Sequence, residues 1–231
     1  FTNVYEESKA QAEGIILQKC EENKIPLSIL RPSIVYGNSK TGKALKFNAL
    51  YYAVKSALHI RDIFIKNIAG GDRQYSEKWG FRLNNDGVLH MPLEIFLPNR
   101  GTVNLIPVDY FVETILHIIA DPNSQGIYHI VNENPPDMSM LIKYTEQFLK
   151  VRGIKILWEV SSDSPNPAEE LFDRFIKPYR PYLSDQRIFA GSRTKNITHG
   201  RCAPVLTYDI FERCMDYAVN CNWGNMASFP K

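Results

Sequence analysis

The chain opens with a helical segment that leads through a short turn into an apolar strand. Asn3 with Glu6 three residues later resembles a capping box, with Asn in place of Ser or Thr, and the helix predicted from it runs to about Asn23. Small and apolar side chains recur along it at helical spacing and predict one buried face: Ala12, Ile15, Ile16 and Cys20. Residues 27–36 then form an apolar strand that Pro32 interrupts. Helix, turn and strand in this order make half of a parallel crossover unit, so we predict an α/β fold.

The length, composition and net charge of the chain exclude several classes of protein. The chain has 231 residues, of which 44% are hydrophobic, enough for one large domain or two small ones. A net charge of +2 is too small to predict binding to nucleic acid or to an anionic membrane surface. The longest apolar run, residues 110–120, is interrupted by Glu113 and His117 and is too short to span a bilayer. The sequence begins with Phe1 rather than methionine, and we expect a fragment whose N-terminal part is absent.

The four cysteines show no Cys-x-x-Cys spacing and no cluster with histidine, so the sequence predicts no zinc site. We interpret them as reduced cysteines of a cytoplasmic protein.

Tyr5 and Lys9 stand four residues apart at the head of the first helix. This spacing places both side chains on one helix face. An ammonium beside a phenol favours the phenolate and lowers the phenol's pKa from about 10, so that the phenol can exchange a proton with a carbonyl oxygen. The pattern is short, and the alternative is that Lys9 pairs with Glu6 or Glu13 on a solvated face.

A polar loop follows the strand at Gly37. In open α/β sheets, ligands bind outside the carboxyl ends of the strands, which is where this loop lies. Residues 37–44 also come close to a nucleotide-triphosphate P-loop. Ala44 stands where that motif needs a hydroxyl to ligate magnesium, so a P-loop remains a minor alternative.

Three further expectations concern the middle of the chain. A helix is predicted over residues 44–60. Residues 90–97 are predicted to form an edge strand or an extended segment, because Pro92 cannot donate to a ladder. Asp109 is predicted to cap a helix over residues 110–120.

Residues 5–9 (Tyr-Glu-Glu-Ser-Lys), the Ala12-Glu13 pair and residues 31–37 (Arg-Pro-Ser-Ile-Val-Tyr-Gly) together resemble the extended short-chain dehydrogenase/reductase family. Within that family, the sequence of these segments is most similar to the male-sterility and thioester-reductase branch, which includes fatty acyl-CoA reductases. Residues 106–110 resemble a strand-to-helix junction of that family, and residues 178–183 and 222–224 match it more loosely.

The resemblance implies the C-terminal part of a Rossmann-like parallel sheet plus a smaller α+β substrate-binding region. Residues 1–36 and 103–132 would form the first part, residues 37–102 and 133–231 the second, and the N-terminal dinucleotide-binding half would be absent. The glycine-rich fingerprint and the family's catalytic Ser or Thr are not in this sequence.

The resemblance also assigns roles to residues. Tyr5 would be the general acid/base, and Lys9 would lower its pKa and hydrogen-bond the nicotinamide ribose. The cofactor, NAD or NADP with NADP favoured, would lie beside Pro32, Ser33, Ile34 and Val35. The substrate would face Asn38, Ser39 and Lys40.

Several functions follow from the resemblance. The first is an NAD(P)-dependent reductase acting on an acyl thioester or related carbonyl. The alternatives are a nucleotide-sugar epimerase or dehydratase, which uses the same Tyr–Lys pair, and a non-catalytic binding domain. An apolar acyl channel would distinguish the reductase, whereas polar and basic groups around a nucleotide diphosphate would distinguish the sugar enzyme. In each case the partner is a small molecule, and the oligomeric state is left open.

Overall fold

The computed structural model describes residues 3–159, 164–183 and 186–225. Its helices are α1 (Val4–Glu22), α2 (Leu50–Ala69), α3 (Arg73–Lys78), α4 (Val108–Ala120), α5 (Met138–Leu149), α6 (Pro167–Ile176), α7 (Arg180–Leu183), α8 (Ser192–Ile197) and α9 (Tyr208–Asn220). A 3-10 turn spans Asn222–Asn225. The strands are β1 (Ser28–Pro32), β2 (Ile34–Tyr36), β3 (Arg82–Leu83), β4 (Leu89–Phe96), β5 (Leu105–Pro107), β6 (Gly126–Ile130) and β7 (Val151–Leu157).

The interrupted strand predicted over residues 27–36 is present as β1 and β2. β1 pairs in parallel with β6, and β2 pairs in parallel with β5. Two backbone bonds cross the interruption after Pro32: the Ser33 amide donates to the Ile130 carbonyl at 3.0 Å, and the Ile34 amide donates to the Asn104 carbonyl at 3.3 Å. Parallel strands joined through helices confirm the predicted α/β class.

A second sheet has the order β3-β4-β7. β4 pairs parallel with β7 from Leu89 to Phe96, whereas β3 pairs antiparallel with it only at Leu89 and His90. Beyond His90 the strand therefore has β7 as its ladder partner on one side, as predicted for an edge strand over residues 90–97. Pro92 is tolerated because β3 does not reach it and because the register with β7 shifts between His90 and Leu93, where a ladder amide is not required. Side chains along β4 alternate between buried and more accessible positions, as a sheet with one covered face requires.

The buried side chains form two clusters. The larger one joins α2, β4, β7, α5, α6 and α9. The smaller one lies between the parallel strands and α4, and its members are Ile106, Tyr110, Ile118, Tyr128, Ile130 and Ala203. The predicted division of the chain into two regions at residues 36, 102 and 132 stays a prediction.

The predicted buried face of the first helix is wrong. Asn3 caps α1 as expected, because its side chain accepts from the Glu6 amide at 2.9 Å. However, none of the residues of α1 is buried, and Ile15 and Ile16 are 63% and 49% exposed. The helical spacing of these apolar residues is real, but no element of the described chain covers them.

The helix predicted over residues 44–60 begins six residues later and runs nine residues further, as α2. Phe47 is buried in the preceding segment, with its ring centroid 5.2 Å from that of Tyr51 and 6.5 Å from that of Trp223. Ala49 has φ of 48°, a value that no right-handed helix accepts, so the helix starts at Leu50. Within the described residues, no helix has both the length and the apolar character needed to cross a bilayer.

Candidate active site

The first two turns of α1 bring Tyr5 and Lys9 together as their spacing predicts. The Lys9 Nζ lies 5.4 Å from the centroid of the Tyr5 ring, which places the ammonium over the aromatic face. The Tyr5 side chain is 63% exposed, so solvent and a ligand can reach it. The Asn3 cap fixes the start of this helix immediately before Tyr5.

Tyr5 lines a cleft of about 930 Å³ that opens at the carboxyl end of β1. Its walls are formed by Asn3, Val4, Tyr5, Glu6, Pro32, Ser33, Ile34, Asn48, Ala49, Thr102, Asn104, Pro178, Tyr179, Tyr182, Arg187 and Phe189. The structure thus brings four of the predicted site residues to one surface: Tyr5, Pro32, Ser33 and Ile34. Lys9 stands next to this group through its contact with Tyr5, whereas Val35 lies on β2 outside the described cleft walls.

Five residues far from α1 in sequence form one side of the cleft: Pro178, Tyr179, Tyr182, Arg187 and Phe189. Asn3 Nδ2 donates to the Tyr182 hydroxyl at 2.7 Å. The Arg187 guanidinium donates to both carboxylate oxygens of Glu6, at 3.1 and 2.8 Å, and its Cζ lies 5.8 Å from the Phe189 ring centroid. These contacts tie the first turn of α1 to a segment about 180 residues away. Sequence reasoning missed Arg187 and Phe189, because nothing local marks either residue as part of a site.

One polar atom in the cleft fits a bound group. Ser33 Oγ is buried and has no hydrogen-bond partner among the described residues. Its own amide and that of Ile34 are already engaged by backbone carbonyls of the protein. A nicotinamide carboxamide placed beside Pro32 and Ser33 would therefore find the free hydroxyl rather than these amides. An orphaned hydroxyl beside the end of β1 fits the cofactor that the sequence predicts.

A pair of asparagines holds the wall of the cleft beside Ser33. Asn104 Nδ2 donates to the Asn132 carbonyl at 2.9 Å, and the Asn132 amide donates back to Asn104 Oδ1 at 2.8 Å. The buried Asn132 side chain also donates to the Leu105 carbonyl at 3.1 Å. These bonds join the start of β5 to the loop after β6, so they fix the position of Asn104 in the cleft.

The loop after β2, predicted to face the substrate, packs on α4 instead of lining this cleft. The Ser39 amide and Ser39 Oγ donate to the two carboxylate oxygens of Asp109 at 2.8 and 2.6 Å, and Arg213 donates to the Ser39 carbonyl at 2.6 Å. Neither Asn38 nor Lys40 is among the described residues that line the cleft. The prediction that Asp109 caps the helix is wrong: Pro107 stands at the N-cap of α4, and Asp109 lies in its first turn, where it anchors Ser39.

The same loop does not have the geometry of a P-loop. A phosphate cradle needs backbone amides that point inwards and are free. Here Asn38 Oδ1 accepts from the amides of Lys40 and Thr41 at 3.0 and 2.9 Å, and the Gly42 amide donates to the Asn38 carbonyl at 2.8 Å. The loop therefore satisfies its own amides, which argues against the minor alternative of a nucleotide-triphosphate site.

An apolar cavity of about 80 Å³ lies beside the cleft. Ile34, Ala49, Tyr179 and Tyr182 line both spaces. The remaining cavity walls are almost all aliphatic or aromatic: Leu50, Ala53, Val54, Ala57, Leu93, Ile95, Val103, Met138, Leu141, Ile142, Thr145, Ile154, Phe172, Ile176 and Leu183. The cleft thus gives a ligand access to polar groups around Tyr5 on one side and to hydrocarbon on the other.

Several solved structures are similar to this chain in fold. The chain is similar to the terminal R domain from the myxalamid PKS-NRPS biosynthetic pathway, with 20% identity, 90% of this chain and 48% of that chain covered, and a TM-score of 0.55. It is similar to a thiolation-reductase di-domain from an archaeal non-ribosomal peptide synthetase, with 14% identity, coverage of 92% and 39%, and a TM-score of 0.54.

A third similar structure is the UDP-glucuronic acid 4-epimerase from Bacillus cereus in complex with UDP-glucuronic acid and NAD. The identity is 16%, the coverage is 92% of this chain and 51% of that chain, and the TM-score is 0.53. The chain spans about half the length or less of these three proteins. No curated protein matches the chain significantly.

Residues 1–115, which carry Tyr5, Lys9 and β1, β2 and β5, match the family model described as male sterility protein. The similar solved structures have the Rossmann-like fold of the extended short-chain dehydrogenase/reductases, as the sequence predicts. Over its first 115 residues, just under half of its length, the chain therefore matches the male sterility protein family, in agreement with the resemblance seen in the sequence.

Proposed function

We propose that this chain forms the proton-transfer and substrate-binding part of an NAD(P)-dependent reductase that acts on an acyl thioester or a related carbonyl. The observation that carries the proposal is the apolar cavity, which shares four wall residues with the cleft that Tyr5 lines. A nucleotide sugar would instead require polar and basic groups around its diphosphate. Among the described residues that line the cleft, the cationic side chain is that of Arg187, whose guanidinium donates to the Glu6 carboxylate.

In this proposal, Tyr5 donates its proton to the carbonyl oxygen of the substrate as negative charge develops there. Lys9, one helical turn away, stabilises the phenolate that remains and hydrogen-bonds the ribose of the cofactor. The nicotinamide, when bound, supplies the hydride. Pro32, Ser33, Ile34 and Val35 flank it, and Ser33 Oγ provides a hydrogen-bonding group for its carboxamide.

Other parts of the proposal come from the family. We keep Asn38, Ser39 and Lys40 as residues that meet the part of the substrate outside the cleft described above. NADP is the favoured cofactor. Because the 231 residues contain no glycine-rich fingerprint, the pyrophosphate cradle and the catalytic Ser or Thr would come from sequence outside them, and these residues alone would show no turnover. A cytoplasmic location agrees with the four free cysteines.

The test uses the natural gene product that carries these residues. Oxidation of NADPH and of NADH is followed with an acyl thioester, with a nucleotide sugar and without substrate. We expect oxidation of the cofactor that depends on the thioester and yields an aldehyde or alcohol together with the released thiol. Conversion of the nucleotide sugar without net consumption of cofactor would replace the proposal with an epimerase or dehydratase. Cofactor binding without turnover of either substrate would make the chain a binding domain.

The role of Lys9 has its own test in the same gene product. Because an ammonium beside a phenol favours the phenolate, Lys9→Met is expected to lower kcat and to move the pH–rate profile to higher pH. Lys19→Met, on the exposed last turns of the same helix, is the matched control and should leave the profile in place. An unchanged profile in Lys9→Met would remove Lys9 from the proton-transfer machinery.

A further inference from the structure

The apolar cavity owes its space to small side chains on α2. Ala49, Ala53 and Ala57 follow one another at intervals of four residues, which places them along one side of the segment that enters and forms this helix. Ala49 lines both the cleft and the cavity, whereas Ala53 and Ala57 line the cavity alone. Since the helix rises 1.5 Å per residue, Ala57 lies about 6 Å beyond Ala53. A ligand that enters from the cleft therefore meets Ala49 first, then Ala53, and Ala57 last.

The opposite walls of the cavity carry large side chains from three elements. β4 contributes Leu93 and Ile95, α5 contributes Leu141 and Ile142, and α6 contributes Phe172 and Ile176. Leu93, Leu141 and Ile176 are buried and packed within the larger core cluster, so these walls have little room to retreat. Among the described residues that line the cavity, the smallest side chains are the three alanines at the start of and along α2.

The volume of the cavity limits what can enter. At about 80 Å³ it is roughly half the size of an apolar cavity of about 150 Å³ that holds benzene. It can accept the end of a hydrocarbon chain of about three carbon atoms. A leucine side chain has three more carbon atoms than an alanine side chain, so one Ala→Leu substitution on α2 would fill the space.

We infer that Ala53 and Ala57 set the length of the hydrocarbon chain that the substrate can carry, with Ala57 defining the closed end of the cavity. This inference rests on the proposed function, since it assigns the acyl chain of the thioester to the cavity. Each methylene that enters an apolar cavity gains about fourfold in affinity, and the gain ends where the chain meets the closed end. The site therefore accepts acyl chains up to a defined length and rejects longer ones.

The experiment measures binding of a series of N-acetylcysteamine thioesters with saturated chains of increasing length to the same gene product, by calorimetry. In the wild type, affinity should rise about fourfold per methylene up to a limit and then stop rising. In Ala57→Leu, the limit should move to chains shorter by two or three methylenes. The longest chain that the wild type binds well should lose at least tenfold in affinity, while the shortest chain keeps its affinity.

Three further variants make the test independent of one substitution. Ala53→Leu, closer to the cleft, should shorten the accepted chain at least as much as Ala57→Leu does. Ile142→Ala enlarges the opposite wall and should move the limit to longer chains. Ala69→Leu, at the exposed end of α2 and outside the cavity walls, is the matched control and should leave the limit unchanged. Thermal unfolding is measured for each variant to check that it folds. Ala53→Leu and Ala57→Leu should not lower the melting temperature, because the added carbon atoms fill empty space.

The outcomes separate this inference from the proposed function. The inference is overturned if folded Ala57→Leu, Ala53→Leu and Ile142→Ala all keep the wild-type limit, or if affinity does not depend on chain length. If the limit moves as expected but no thioester is turned over, the inference holds for chain binding and the reductase proposal fails. If thioesters are turned over and the limit is indifferent to all three substitutions, the reductase proposal stands and the inference fails.

Discussion

Two regions of this molecule differ in how completely their helices are covered. In the dense region, around the β3-β4-β7 sheet, α2 buries six side chains and packs with β4, β7, α5 and α6 in one continuous core. In the parallel-strand region, around the pairs β1-β6 and β2-β5, α1 buries none of its residues, and α4 leaves an apolar stripe of Val112, Leu116 and Ile119 exposed. Tyr5 belongs to the sparsely covered region, whereas the apolar cavity lies within the densely packed one.

The difference in burial between the two regions predicts two kinds of effect for substitutions. A substitution on the exposed face of α1 can alter chemistry with little change in folding free energy, because few contacts are lost. A substitution near the cavity alters packing and substrate preference together. The cleft lies where the two regions meet, since its walls include Pro32 and Ser33 from the end of β1 and Ala49 from the start of α2.

The largest effect on stability is expected from Phe81→Ala. Phe81 is fully buried and stacks on Phe64, with ring centroids 3.5 Å apart and an interplanar angle of 3°. Loss of the ring should lower the free energy of unfolding by about 3–5 kcal/mol in denaturant titrations. Ile15→Ala in α1 is the counterpart and should change it by about 0.5 kcal/mol or less. Similar losses of unfolding free energy in the two variants would show that the two regions do not differ in packing.

The next effect is a loss of stability at alkaline pH that originates in the dense region. Burial, the largest cause, raises the pKa of Cys214 to about 11 from its ordinary value of 9.0. Burial also raises the pKa of Tyr36 and Tyr51. A group whose pKa is raised on folding holds its proton longer in the native state, so its stabilising contribution is complete below pH 9 and is lost as pH rises towards 11.

Unfolding free energies measured in steps from pH 8 to pH 11 check this expectation. The wild type should lose stability across the window, and Cys214→Ala should show a shallower slope. Thiol reagents at pH 8 provide the control, because the exposed Cys202 should react at once while the buried Cys214 stays protected. A slope that is the same with and without Cys214 would contradict the assignment.

A smaller effect is expected from Asn132→Ala in the parallel-strand region. The substitution leaves the Leu105 carbonyl and the Asn134 amide without the side-chain partners they have now. Unpaired polar groups in a buried setting cost about 1–3 kcal/mol of unfolding free energy. Asn134→Ala, at an exposed neighbouring position, should change stability by about 0.5 kcal/mol or less. Equal effects would show that the Asn132 side chain does not hold the loop after β6 against β5.

Local signals in the sequence predicted the parts of the site that depend on short spacings. The interval between Tyr5 and Lys9 fixes their contact on any helix, and Pro32 marks the interruption of the strand wherever that strand pairs. Both predictions concern residues that are neighbours in sequence and in space. The fold class followed from the same local order of helix, turn and strand.

The rest depended on contacts across the chain. The start of α2 was misplaced because the burial of Phe47 against Trp223, about 180 residues later, keeps residues 44–49 out of the helix. The pairing of Arg187 with Glu6 is equally distant and has no local pattern. The apolar stripe of α1 was read correctly as a pattern, but periodicity predicts a face and not what covers it.

The most direct test of the account is the rate of the Tyr5→Phe variant in the natural gene product that carries these residues. Tyr75→Phe is the matched control, since Tyr75 is a partly exposed tyrosine outside the cleft walls. If Tyr5 donates the proton, kcat should fall by about 10²- to 10⁴-fold while the free energy of unfolding is unchanged, and Tyr75→Phe should match the wild type. A Tyr5→Phe variant that folds and turns over substrate at the wild-type rate would contradict the account.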